Sequence, residues 1–164
     1  MARSAKPRDG RHRRPDDLTD WLTLAAALCV ARGVQLTALR QEILELLWQS
    51  GGPTGAYDLI RALRRRVERP IGPPTVYRAL EFLVAQGLIR RIESRNAYVV
   101  RSHPESPNPS AFFLCGRCGT SAEFENPRID RLLAEDAVAI GFLPTRRVLE
   151  VEGTCPRCRD ALPA

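Results

Sequence analysis

No stretch of this 164-residue chain approaches the roughly 20 consecutive apolar residues that a bilayer-spanning helix needs. The longest apolar run, Leu22 to Ala31, is alanine-rich and suits a packed helix, with Cys29 read as a buried packing residue. The basic N-terminus has no apolar stretch beside it, so it does not read as a secretory leader. A cytoplasmic protein with no membrane contact is the expectation. There, stable disulfides are disfavoured, and paired cysteines turn towards metal or redox chemistry. Lysine is nearly missing: of 25 basic side chains only Lys6 is not arginine. Histidine is limited to His12 and His103. A Ser/His/Asp or Cys/His set and a glycine-rich phosphate loop are both absent, so an enzyme is not expected.

What is present is a globular composition, 44% hydrophobic, and an uneven charge of +6. Residues 1–101 carry 18 basic against 10 acidic side chains, a balance of +8; residues 102–164 carry 7 against 9, or −2. Arginine grips phosphate and guanine bidentately, so this asymmetry hints at nucleic acid. A solvated arginine-rich face is the competing reading.

Residues 1–16 read as a disordered basic arm. A helix is predicted from about Leu18 to Ala31, stopped by Gly33. Thr37 reads as the N-cap of a second helix carrying Leu39, Ile43, Leu46 and Leu47 on one face. Thr54 opens a third, with Ala56, Leu59, Ile60 and Leu63 inward and Arg61, Arg64 and Arg65 outward. Pro70 and Gly72 break it. Pro73-Pro74 begins a fourth, with Val76, Leu80, Leu83 and Val84 apolar. Leu88–Ile92 and Ala97–Val100 then form a hairpin around Ser94-Arg95-Asn96. Helices in quick succession before a hairpin are the order of a winged helix-turn-helix, though a generic α+β domain shares it. The Pro-rich stretch 102–109 reads as a hinge linker. Beyond it come strands at Ala111–Leu114 and Ser121–Glu125, a helix Pro127–Ile140 and a last strand Phe142–Val151. That second unit is small enough to need metal, dimerisation or both. The expected organisation is therefore α+β: a winged-helix DNA-binding domain over residues 17–101, and a small α/β dimerisation domain over 110–164.

Cys115-Gly-Arg-Cys118 and Cys155-Pro-Arg-Cys158 are two C-x2-C knuckles. Each presents two thiolates from one tight turn, and two such turns complete a tetrahedral four-sulfur shell suited to Zn2+. Iron, two independent redox pairs, surface thiols or a reversible disulfide are the alternatives. A closed shell leaves no open position for a reactive water, so the zinc is read as structural.

Leu36-Thr37-Ala38-Leu39-Arg40, Ala56-Tyr57-Asp58-Leu59, Pro73-Pro74-Thr75-Val76-Tyr77-Arg78-Ala79-Leu80 and Ile92–Val99, followed by the two knuckles, resemble the ferric uptake regulator (Fur) family of bacterial metal-responsive repressors, nearest its zinc uptake regulator (Zur) branch. The resemblance implies a homodimer reading a palindromic double-stranded operator. It implies DNA contacts at Tyr57 and Arg78, with Thr75 and Tyr77 opening the recognition helix, where backbone amides can hold phosphate. Capping is the competing role for Thr75, and core packing for Tyr77. Arg40, Arg64 and Arg95 join the expected DNA-facing set.

The family's regulatory metal site joins the two domains. Its ligand positions correspond here to Arg90, Arg101, Asn108 and Glu123, of which only Glu123 keeps the family's ligand. Two arginines there repel a metal ion. The usual second metal site is thus expected to be absent or rebuilt, with His103, Glu105 and Glu123 a poor substitute. Arg90 or Arg101 is expected to pair with Glu123 and hold the hinge without metal, ordinary surface charge being the alternative. A winged-helix and zinc-knuckle module of a larger transcription assembly, without sequence choice or metal sensing, is the competing function.

Overall fold

The computed structural model describes residues 17–66, 71–106 and 111–161; the arm expected over residues 1–16, Pro70 and Asn108 lie outside them. Asp17 opens α1 (Leu18–Ala31): its carboxylate accepts the amides of Thr19 at 2.6 Å and Asp20 at 3.4 Å. Two of the donors that a helix N-terminus leaves free are thereby satisfied. The chain leaves the helix through Gly33 at φ +67°, a conformation that a Cβ disfavours. α2 (Ala38–Ser50) follows Thr37, whose extended backbone is that of a cap but whose hydroxyl makes no capping bond.

Thr54 does not open a helix. Thr54–Gly55 forms a short strand, β1, paired antiparallel with Tyr98 and Ala97. That pairing commits the backbone at Thr54, so α3 (Ala56–Leu63) starts two residues later with Gly55 as its cap. Its inward residues are the expected ones: Ala56, Leu59, Ile60 and Leu63 are buried. α4 (Pro73–Ala85) buries Val76, Ala79, Leu80 and Leu83, while Val84 is only partly covered. β2 (Ile89–Ile92) and β3 (Ala97–Val100) pair antiparallel, with Ile89 opposite Val100 and Ile92 opposite Ala97. A single 3-10 turn, Glu93–Arg95, joins them and Asn96 closes it at φ +46°. The sheet order is β1-β3-β2.

One buried cluster runs through α1–α4 and the hairpin and includes Trp21, fully buried. The Trp21 indole Nε1 donates to the carbonyl of Arg101 at 3.0 Å, across 80 residues of sequence, and its ring tilts against Trp48 at 5.6 Å. The first helix is thus tied to the point where the chain leaves the hairpin. Trp21→Phe strands that buried carbonyl and should destabilise the fold by about 1–3 kcal/mol in urea titrations. An unchanged midpoint would contradict this role.

The second sheet is built from β4 (Ala111–Cys115), β5 (Ser121–Phe124) and β6 (Glu150–Gly153), in order β5-β4-β6. β6 runs parallel to β4, with α5 (Pro127–Ala139) in the connection. Residues 142–149, expected as strand, form none; only Glu150 and Val151 of that prediction are in β6. Pro144 has no amide to donate, and Arg146 and Arg147 are drawn away to Glu93 and Asp130. The short helix α6 (Pro156–Asp160) ends the described chain. A smaller cluster of Ile92, Val99, Phe112 and Leu114 packs the hairpin's second face against β4. None of the described helices is long and apolar enough to cross a membrane.

Candidate metal centre and nucleic-acid interface

The first knuckle is the turn leaving β4 and the second is the turn entering α6. Parallel pairing of β4 with β6 sets them side by side, with Cys115 opposite Gly153. The sulfurs of Cys115, Cys118, Cys155 and Cys158 all lie within 4.8 Å of one another, and the Cys118 and Cys155 sulfurs are 3.6 Å apart. Zn–S bonds of about 2.3 Å put tetrahedral sulfurs about 3.8 Å apart, so the cluster has the dimensions of a zinc shell. Gly119, at φ +77°, closes the first turn, and Arg117 crosses to the carbonyl of Cys158 at 3.0 Å. Backbone amides of Cys118 and Cys155 aimed at its sulfur bring the Cys115 pKa to about 6. Cys158 donates its thiol proton to the Cys118 and Cys155 sulfurs, which pushes its pKa up to about 12. A bound dication would bring all four to thiolate and release their protons. Cys29 stands apart, buried in the helical core with its thiol pKa raised by that burial.

On α3 and α4 and just beyond α3, Tyr57, Thr75, Tyr77, Arg78 and Arg64 are exposed, Tyr57 to 73%. Arg64, Arg65 and Arg78 make no side-chain ion pair or hydrogen bond among the described residues, which leaves their cations available. The start of α4 is less suited to phosphate than its position promised. Pro73 and Pro74 have no N–H, and the amides of Thr75 and Val76 both bond the carbonyl of Gly72, at 3.1 and 3.4 Å. Gly72, not Thr75, is the cap.

Two expected DNA-facing arginines are engaged inside the protein. Arg40 lies over the Phe82 ring, 3.3 Å from its centroid, and donates to Gln35. Arg95, at the hairpin turn, reaches the first knuckle: Nη1 donates to Gly119 O at 3.2 Å and Nη2 to Cys115 O at 3.0 Å. Beside it, the Glu150 carboxylate accepts the amides of Glu93 at 2.7 Å and Ser94 at 3.1 Å, and Arg146 pairs with Glu93. The wing turn is therefore seated on the knuckle domain, a tertiary contact that local sequence does not encode.

Just past the end of β3, Arg101 meets Glu123 of β5. Arg101 Nε lies 3.2 Å from Glu123 Oε1, and its Nη2 lies 3.3 Å from Glu125 Oε1. Both Arg101 and Glu123 side chains are below 10% exposed. The second Glu123 oxygen takes the amide of Ser102 at 2.6 Å. Arg101 Nη1 reaches Ser106 O at 3.3 Å, and the Ser106 hydroxyl bonds Glu125 at 2.8 Å. Both Glu123 oxygens are thus already engaged, by a guanidinium and an amide, which does not fit a cation at this place. His103 faces Glu105 at 3.2 Å. Glu125 and Ser106 escaped the sequence reading; Glu125 stands two residues beyond Glu123, the spacing of one strand face. Arg90, also expected near Glu123, forms no ion pair with it among the described residues.

Residues 31–151 match the Ferric uptake regulator family. The zinc uptake regulation protein of Escherichia coli (strain K12) is 38% identical over 138 residues, 84% of this chain and 80% of that protein. A solved zinc uptake regulator complexed with zinc and DNA superposes with TM-score 0.82 at 37% identity, covering 87% of this chain and 95% of that one. The holo crystal structure of XcZur gives 0.80 at 36% identity, over 87% of this chain and 99% of that one; its apo structure gives 0.50.

Proposed function

The chain belongs to the ferric uptake regulator family, and on that ground we propose that it is a sequence-specific, Zur-like transcriptional repressor. It is a DNA-binding regulator and not an enzyme. Its winged-helix half, residues 17–101, binds a palindromic operator, with Arg78, Tyr57, Tyr77, Thr75 and Arg64 facing DNA, and it works in the cytoplasm. Residues 102–109 act as the hinge and 110–164 as the dimerisation half. The cation of Arg78 on α4, exposed and without an ion pair or hydrogen bond among the described residues, carries the DNA reading together with exposed Tyr57 and Tyr77. Dimerisation accounts for the apolar face of the C-terminal half, where Leu132, Val138, Ile140, Phe142 and Leu143 are each more than half exposed.

Cys115, Cys118, Cys155 and Cys158 hold one structural zinc per chain, which stabilises the small second domain. At the hinge, Arg101 with Glu123 and Glu125 stands in for a regulatory metal and holds the two halves in the DNA-binding arrangement. The likeness to the DNA-bound and holo relatives over the apo one supports that arrangement.

The test is operator affinity against random duplex, with and without added zinc. Preference for a palindrome, insensitive to metal beyond the structural equivalent, is the expected result. Equal affinity for random duplex would overturn sequence choice, and a removable second zinc required for binding would overturn the metal-free hinge. Arg78→Ala should weaken operator binding by about 1–3 kcal/mol in gel-shift titrations, with the melting temperature unchanged because the side chain is exposed. Undiminished operator affinity would remove Arg78 from the reading set.

A further inference from the structure

Between the C-terminal half of α4, the hairpin and residues 146–150 lies a cavity of about 440 Å³. Val84, Phe112 and Leu149 give it apolar walls, and Arg90, Arg91, Arg146 and Arg147 surround it with guanidinium groups. Three of those arginines have partners. Arg91 bonds Asn96 at 2.8 Å and lies 3.4 Å from Glu93, Arg146 also pairs with Glu93, and Arg147 pairs with Asp130. The acids are mostly spoken for as well. Glu93 is shared by two arginines, and Glu150 is taken by two backbone amides. Glu81 is exposed at the rim and pairs with no described residue.

Arg90 is the exception. It is partly buried in the cavity wall, yet among the described residues its guanidinium has neither a hydrogen bond nor an ion pair. Burial, then the nearby charge of Arg101, with Arg147 and Arg146 adding to it against Glu123, lowers its pKa from the ordinary arginine value. An arginine in a protein does not shed its proton, so this charge stays, with no carboxylate at ion-pair distance among the described residues. Burying an unpaired charge is unfavourable, and a planar fork with free donors matches a carboxylate or phosphate.

We propose that this cavity is a binding site for a small organic oxyanion, a carboxylate or phosphate ester with an apolar portion, whose charged end pairs with Arg90 and whose apolar part lies against Val84, Phe112 and Leu149. Its walls come from the recognition helix, the wing and the dimerisation half. A ligand there contacts every part whose relative placement governs DNA binding, which makes it an effector by linkage. The site stands on the cavity and Arg90, independently of the operator reading, so direct ligand titration tests it without DNA.

The experiment is calorimetric titration of the zinc-loaded full chain with phenyl phosphate, inorganic phosphate and benzyl alcohol. Phenyl phosphate should bind saturably, once per chain, at least about 10-fold more tightly than inorganic phosphate, and benzyl alcohol not at all. Arg90→Gln should weaken phenyl phosphate at least about 10-fold, whereas Arg128→Gln, exposed on α5, should leave it unchanged. Without ligand, Arg90→Gln should melt about 2–4 °C higher, because an unpaired cation is gone. No saturable binding, equal affinity for inorganic phosphate, indifference to Arg90→Gln or a lowered melting temperature in that variant would each overturn the proposal.

Discussion

A Cys115→Ser protein is expected to lose its zinc equivalent and with it the folded state of the C-terminal half. Structural four-thiolate sites contribute on the order of 10–16 kcal/mol of apparent binding free energy, comparable to the whole stability of a domain at about 5–15 kcal/mol. The apolar core of this half is small. The described core there is Phe112 and Leu114 packed on the hairpin residues Ile92 and Val99, and α5 buries only Ala137. Elemental analysis should show zinc falling from one per chain to none, and gel filtration should show loss of the dimer. The damage should reach DNA binding, because Arg95 seats the wing turn on the carbonyls of Cys115 and Gly119. A Cys115→Ser protein that stayed dimeric with its full zinc content would remove Cys115 from the ligand set.

Arg101→Ala is expected to cost about 3–5 kcal/mol of stability, the usual penalty for removing one partner of a buried ion pair. The loss takes the guanidinium away from Glu123, which stays buried, and from Glu125 and the Ser106 carbonyl. Because those groups link the end of β3 to β5, the effect should exceed simple destabilisation. If the DNA-binding arrangement falls to about 1–10% of molecules, operator affinity drops about 10- to 100-fold at temperatures where the protein remains folded. Fluorescence anisotropy on operator DNA, paired with thermal melts, separates the two effects. Unchanged operator affinity in a folded Arg101→Ala protein would count against Arg101 as the element that holds the halves together.

The legible parts of this protein were those carried by local pattern. Helix spacing marked the inward residues of α3, and Gly33 marked the end of α1, because both are decided within a turn or two of chain. The knuckles were legible for the same reason: two thiolates from one turn need no distant residue to be recognised. Errors arose wherever a remote partner intervened. Thr54 pairs with Tyr98 and so joins a strand; residues 142–149 lose their strand because Arg146 and Arg147 turn to Glu93 and Asp130. Thr37 has the backbone of a cap without its hydrogen bond, a distinction no sequence spacing carries.

By itself the sequence determined the family and the two cysteine knuckles whose sulfurs can hold a cation, since residue identity decides which side chains can ligate. Tertiary structure alone decided how the arginines are used. Arg101 is buried against Glu123 and Glu125, Arg95 binds the knuckle, Arg40 stacks on Phe82, and Arg78 is left exposed. All four carry the same charge and the same donors. What separates them is which acceptor, ring or solvent the folded chain brings within about 3 Å, a distance set by long-range packing and not by neighbours in the chain.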